Sequence, residues 1–199
     1  MKRMYFMMAI AAATSIATNA MAQRVEMMEG NFDALKGVRK MNVKYDYSEM
    51  EVGKKKEKDF VADKTETYNG KEPGKGDKWA KDWVADREAR FEPRLEDEFN
   101  KMGDIKIGHY PNEKYTLIFK TVYTEPGFNV GVMRKNAYID GQAWIVETSN
   151  PDKAIVKLEI NNCPGRTFMG MDYDTGERIQ EAYAMAGKGL ARYFGKKID

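Results

Sequence analysis

The chain of 199 residues contains only one cysteine and one histidine, Cys163 and His109. A single cysteine forms no internal disulfide, so we expect packing and not covalent bridges to stabilise the fold. Cys163 stands at the end of a strand-like run, where we expect it to be a small buried hydrophobe. A zinc site or a Cys–His nucleophile would need more partners than these two side chains provide.

The sequence also lacks a charge surplus. The formal net charge is +2 at pH 7, and Lys2 and Arg3 account for all of it. A balanced chain gives no indication of a nucleic-acid partner or of binding to an anionic membrane. No Gly-x-Ser-x-Gly or His-Glu-x-x-His motif occurs. We therefore predict no cofactor and no nucleic-acid partner, and the pattern favours a non-enzymatic role while leaving catalysis open.

The first 22 residues have the three parts of a secretory signal peptide. A basic start precedes an apolar or small run over 7–17, and Ala20-Met21-Ala22 fits the signal-peptidase rule. The run is shorter than the roughly 20 apolar residues of a membrane span, so we predict no transmembrane segment. We predict cleavage before Gln23 and export to the periplasm or beyond. The alternative is an amphipathic N-terminal helix of a cytosolic domain.

We predict that the remaining chain consists of a flexible lead-in over 23–38 and one domain over 39–199. Alternating apolar residues predict a strand over 41–47, and a short amphipathic helix is expected over 57–68. Helical periodicity continues over 77–103, where Pro93 should bend the helix near Arg90 or split it in two.

The second half of the chain is rich in strands and ends in a helix. We predict strands over 105–107, 115–124, 130–148 and 155–160, with a tight turn over 150–153 and antiparallel pairing. Asp174 is the expected N-cap of the last helix, which Gly195 should end. The order predicts an α+β fold: a two-layer sandwich with a mostly antiparallel sheet and two main helices on one face.

An aromatic stripe runs along the long helix and includes Trp79, Trp83 and Phe91. Helical spacing on one face is typical of a buried surface, so core packing is the favoured interpretation. The same rings could instead form a platform on which a carbohydrate stacks.

The segment 163–178 is a glycine-rich stretch leading into the last helix. A phosphate loop is disfavoured because Asp172, Asp174 and Glu177 already place negative charge at the helix start. Asp172 and Asp174 form a weak alternative as calcium ligands, but the following glycine and the missing closing Glu do not fit an EF-hand. Capping and loop rigidity explain the same residues.

These patterns lead to two hypotheses and a third possibility. The first is a non-enzymatic binding or assembly module of the cell envelope that holds a protein or glycan partner through exposed aromatic, Met and Arg side chains. Its candidate partner-binding residues are Phe128, Arg166, Phe168, Met169, Met171 and Tyr173. The rival is a secreted hydrolase of glycans or peptides using carboxylates such as Glu125, Asp140, Asp172 and Asp174. A small-ligand carrier would show an apolar pocket between sheet and helices.

Five segments carry a resemblance: Ala20–Gln23, Gly74–Trp79, Arg90–Pro93, Glu125–Val132 and Asp172–Ile179. Together they resemble a family of small secreted proteins of Bacteroidetes-type bacteria. The last is also similar to the end of a family of envelope proteins whose α+β fold is like the N-terminal domain of TolB and the periplasmic domain of curli-secretion lipoproteins. The resemblance implies a fold and an envelope setting and transfers no catalytic residue. The lipoprotein members carry an acylated Cys at the cleavage point, which this chain lacks.

Overall fold

The computed structural model describes residues 23–130, 133–165 and 174–198, so the predicted signal peptide lies outside the described residues. The strands are β1 (Arg24–Gly30), β2 (Lys40–Asp46), β3 (Glu51–Val52), β4 (Lys55–Lys56), β5 (Lys106–Gly108), β6 (Tyr115–Glu125), β7 (Phe128–Asn129), β8 (Arg134–Lys135), β9 (Ala137–Glu147) and β10 (Asn150–Gly165). The helices are α1 (Glu57–Asn69), α2 (Lys75–Asp86), α3 (Glu92–Met102) and α4 (Thr175–Ile198).

The main sheet confirms the predicted α+β class. Its strands follow the order β1-β10-β9-β6-β2-β5. The pairs β10–β9 and β9–β6 are antiparallel, as expected for strands with alternating apolar residues and short links. Strand β1 also pairs antiparallel with β10. The turn between β9 and β10 lies at 148–149, and not at the expected 150–153, which belongs to β10.

The other side of the sheet is parallel, which makes the sheet mixed. Strand β2 runs parallel to both β5 and β6. The helices α1 to α3 lie between β2 and β5 in the chain, and such a crossover returns the chain to the same edge in the same direction. Sequence periodicity does not encode this choice of neighbour.

Helices α3 and α4 pack against each other, and α4 crosses β9 and β10. One face of α4 is buried in the core: Ile179, Ala182, Tyr183, Ala186, Leu190 and Phe194 are each at most 2% exposed. Cys163 is fully buried in the same core, as predicted. Within the described ranges, no helix is long and apolar enough to cross a membrane.

The long helical segment is split, as Pro93 predicts. Helix α2 ends at Asp86, a π-helical turn spans Arg87–Phe91, and α3 begins at Glu92 with Pro93 in its first turn. Proline has no backbone N–H and therefore donates no hydrogen bond to the preceding turn. That turn can widen into a π-helical turn without losing a hydrogen bond from Pro93.

Residues 23–38 do not form the expected flexible lead-in. Residues 24–30 are the edge strand β1, paired with β10, and a short 3₁₀ turn follows at Asp33–Leu35. The Gln23 side chain donates a hydrogen bond of 2.6 Å to the carbonyl oxygen of Met185. The weak periodicity of this segment reflects a strand whose residues are mostly exposed.

The predicted end of α4 at Gly195 is wrong, since the helix continues to Ile198. Earlier in the helix, Gly187 allows α4 to approach α3 closely. A Cβ at Gly187 would lie 2.2 Å from the carbonyl oxygen of Leu95. Helices α3 and α4 can therefore pack this closely only because Gly187 has no side chain.

Replacing Gly187 by Ala should lower the free energy of unfolding by about 1–3 kcal/mol, because the obstructing atom is backbone and the helices must separate. Gly195→Ala is the matched control, since nothing lies within 4 Å of a Cβ there. That change should be neutral or slightly stabilising. Urea denaturation of both variants measures the difference, and equal stabilities would contradict the close α3–α4 contact.

Candidate functional site

Helices α1 and α2 form a hairpin that gathers four aromatic rings. Trp79 and Trp83 are four residues apart on α2, so they share a face and stack with centroids 5.6 Å apart. Tyr68 of α1 meets Trp79 edge-on at 5.7 Å, and Phe60 lies 5.4 Å from Trp83. Trp83 is buried, as core packing predicts, whereas Trp79 and Tyr68 remain half-buried.

Two adjoining cavities open beside these rings, and both are lined by Tyr68, Trp79 and Thr175. One has a volume of about 470 Å³ and is lined by Asp82, Asp86 and Asp174; we name it the acidic cavity. The other has a volume of about 360 Å³ and is lined by Lys54, Lys55 and Lys64; we name it the basic cavity. Together they are the aromatic groove.

The wall of the acidic cavity is a charged triad centred on Arg90. Its Nε lies 3.1 Å from Oδ1 of Asp86, and its Nη1 lies 3.0 Å from Oδ1 of Asp174. A Cβ at Gly176 would lie 2.4 Å from both Arg90 Nη1 and Asp86 Oδ2. The glycine thus allows the N-terminal turn of α4 to approach the triad.

The pKa values of the two carboxylates of the triad are shifted in opposite directions. Burial raises the pKa of Asp86, and repulsion from Asp174 and Asp82 adds to this against the attraction of Arg90. Burial also tends to raise the pKa of Asp174. The hydrogen bond from the Glu177 backbone and the Arg90 cation outweigh this effect, so the pKa of Asp174 is lowered. The acidic cavity therefore holds one carboxylate that is harder to ionise than the other.

The basic cavity places cations over rings. The Lys64 ammonium lies 5.8 Å from the centroid of Phe60 and 5.7 Å from that of Tyr68. Lys55 forms an ion pair with Asp63. Phe128, one of the predicted partner-binding residues, lines this cavity and is 42% exposed. Phe128 is therefore at the surface, where a ligand can reach it.

A half-buried carboxylate fixes the hairpin to the rest of the fold. Glu57 of α1 accepts a hydrogen bond of 2.7 Å from Trp83 Nε1 and pairs with Arg87 of the π-helical turn. The Arg87 guanidinium lies 4.3 Å from the centroid of Tyr47, whose hydroxyl donates to Glu92 at 3.2 Å. These contacts run from the hairpin to the residue that follows β2.

The other predicted site residues have separate outcomes. Asp174 is confirmed as the N-cap of α4, since its Oδ1 accepts the Glu177 backbone N–H at 3.1 Å. Within the described part of the chain, no group of three or more His, Cys, Asp or Glu side chains is placed to hold a metal ion. The remaining partner-binding and calcium candidates lie outside the described residues: Arg166, Phe168, Met169, Met171, Asp172 and Tyr173.

Each described carboxylate among those proposed for a hydrolase has contacts of its own. Asp140 on β9 accepts the Asn162 backbone N–H at 2.7 Å, and burial raises its pKa. Glu125 accepts the Gly127 N–H and pairs with Lys135 at 2.5 Å. Each carboxylate stabilises its own turn or bulge, whereas Asp174 faces Arg90.

The residues that sequence reasoning missed are Tyr68, Asp82, Asp86 and Arg90. Asp82 and Asp86 are four residues apart on α2, the same spacing as Trp79 and Trp83. The sequence therefore contains a signal for this cavity, namely an acidic row beside an aromatic row on one helix. The contribution of Tyr68 depends on the packing of α1 against α2, which the sequence does not specify.

Comparisons with known proteins yield a similarity of structure alone. No protein-family model matches the chain, and no curated protein matches it. Among solved structures, the PelC dodecamer from Paraburkholderia phytofirmans matches with a TM-score of 0.40 and 12% identity, covering 85% of this chain and 98% of PelC. A point variant of the same PelC dodecamer, in another crystal form, matches with a TM-score of 0.38 and 11% identity, over the same shares.

Replacing Asp174 by Ala should cost about 1 kcal/mol at pH 7 through loss of the helix cap. The folded-state pKa of Asp174 is lowered below the ordinary 3.8, so its stabilising effect is present above that value and is lost as the pH falls through the lowered pKa. Urea denaturation should therefore show a difference from wild type that shrinks as the pH falls below 3.8. Asp152→Ala, at an exposed position of β10, is the control. A difference independent of pH would contradict the capping role.

Proposed function

We propose that the protein is a non-enzymatic binding module of the bacterial cell envelope and that the aromatic groove is its binding site. The observation that carries the proposal is the pair of adjoining cavities sharing Tyr68 and Trp79. The envelope setting rests on the predicted signal peptide over 1–22 and remains part of the proposal.

The groove has the composition of a ligand site. Each cavity falls within the range of roughly 300–1,000 Å³ that small ligands and peptide side chains occupy. Aromatic walls supply contact area, and a few charged groups supply orientation. Here Trp79 and Tyr68 form the shared wall. Three carboxylates and Arg90 line the acidic cavity, and three lysines and Glu125 line the basic cavity.

The walls of the groove are held in place before any ligand arrives. Glu57 fixes Trp83 and Arg87, and Arg90 bridges Asp86 to Asp174. A preformed site spends less of its interaction free energy on ordering side chains. The geometry therefore favours binding without a large rearrangement.

The three tryptophans provide a direct test, because Trp79 and Trp83 line the groove while Trp144 lies on β9. In ¹⁵N-labelled protein beginning at Gln23, we expect soluble fractions of the native envelope to shift the indole N–H signals of Trp79 and Trp83. The Trp144 signal should stay in place, because only groove residues contact the ligand.

The control variant for this experiment is Trp144→Phe, which should leave the shifts of Trp79 and Trp83 intact. Tyr68→Ala should weaken them, since Tyr68 lines both cavities. Equal movement of all three indole signals, or no movement of any, would contradict a binding site at the aromatic groove.

The paired carboxylates of the acidic cavity favour a second candidate, a hydrolase of glycans or peptides. A carboxyl with a raised pKa suits a general acid, and one with a lowered pKa suits a base or nucleophile. Asp86 and Asp174 have these opposite shifts and contact the same guanidinium. Asp174 is, however, already engaged as a helix cap.

Incubation with envelope glycans and peptides separates the two functions. A binding module should release no new reducing ends or amino groups, whereas a hydrolase should release them at a rate that Asp86→Asn abolishes. Asp33→Asn is the matched control, since Asp33 lies in the 3₁₀ turn paired with Lys36. Product release that depends on Asp86 would replace the binding-module proposal.

A further inference from the structure

The acidic cavity carries an excess of negative charge. Asp82, Asp86 and Asp174 contribute three carboxylates, and Arg90 contributes one cation. Arg90 contacts Oδ1 of both Asp86 and Asp174, while Lys78, which does not line the cavity, pairs with Asp82. A cation entering the cavity therefore meets net attraction, and an anion meets repulsion.

The aromatic wall acts in the same direction. Ring faces attract cations that lie within about 6 Å of their centroids. The chain already uses Tyr68 in this way, because the ammonium groups of Lys64 and Lys71 lie 5.7 and 5.9 Å from its ring. Trp79 also lines the acidic cavity; its ring contacts Trp83, Tyr68 and Phe60 but remains half-buried, so part of it faces the cavity.

The size of the cavity favours an organic cation over a metal ion. Its volume of about 470 Å³ has room for a side chain, and its three carboxylates belong to separate turns of α2 and to the start of α4. A metal ion needs ligand oxygens within about 2–2.6 Å of one point. A primary ammonium on a methylene stem can instead donate to separated carboxylates while the stem packs on a ring.

We propose that the acidic cavity binds the primary ammonium group of a lysine side chain on a peptide ligand. The ammonium donates hydrogen bonds to Asp82 and Asp86, and the methylene stem packs against Trp79. The adjoining basic cavity, lined by Lys54 and Lys64, then faces acidic groups of the same peptide. This inference rests on the proposed function and names the ligand of that site.

Two small probes of nearly equal shape test the inference on the wild-type protein. Nα-acetyl-lysine methylamide carries the ammonium, and Nα-acetyl-norleucine methylamide replaces it by a neutral alkyl end. We expect the lysine probe to shift the Trp79 indole signal saturably, with a dissociation constant roughly ten-fold lower than that of the norleucine probe. Trp144 should not respond to either probe.

A variant locates the charge that is responsible. Asp86→Asn keeps the size of the side chain and removes one carboxylate, so the preference for the lysine probe should fall several-fold. Asp33→Asn removes an acid from the 3₁₀ turn and should leave the preference unchanged. Added sodium chloride should weaken the lysine probe more than the norleucine probe, because salt screens charge attraction.

Equal affinities for the two probes would overturn the inference, as would an Asp86→Asn variant that retains the full preference. Absence of any Trp79 shift with the lysine probe would also overturn it. If envelope fractions still move Trp79 in that case, the proposed binding function survives and only the ligand class is wrong. If neither the fractions nor the probes move Trp79, both proposals fail.

Discussion

The position of the aromatic groove depends on one half-buried carboxylate. Glu57 begins α1, yet its side chain receives Trp83 of α2 and Arg87 of the π-helical turn. A buried carboxylate is stable only when hydrogen-bond donors and cations replace the water it has lost. Both donors come from the next helical segment, so the hairpin closes at a defined angle. That angle brings Tyr68 up to Trp79 and opens the two cavities on either side of them.

The π-helical turn directs the side chains of two arginines to different parts of the fold. Arg87 points toward Glu57 and Tyr47, whereas Arg90 reaches Asp86 and Asp174. In a regular helix, residues three apart lie on nearly the same face. The wider turn directs one guanidinium into the link between hairpin and sheet and the other into the acidic cavity. Pro93, which the sequence indicates as a disturbance, is thus connected through the turn before it to the electrostatics of the groove.

The elements that the sequence predicted are those specified by local chemistry. Asp174 caps α4, Cys163 is buried, and β6 and β9 alternate as their residues require. Such reasoning does not predict the parallel neighbours of β2. Alternation with a period of two residues determines which face of a strand is buried and not which strand pairs with it. The groove was missed for a related reason. Trp79 belongs to the core by its spacing, and only the packing of α1 reveals that it lines both cavities.

The pairing of β1 with β10 sets an order of events during synthesis. Arg24 lies opposite Asn161, so more than 100 residues separate β1 from the strand to which it hydrogen-bonds, and β10 is made after β1. The Gln23 side chain likewise needs Met185 of α4, which follows it by 162 residues. Until then the N-terminal segment has no native strand to join. Strand β1 therefore joins the sheet only after β10 has been made, so the closing of this edge of the sheet is a late event in folding.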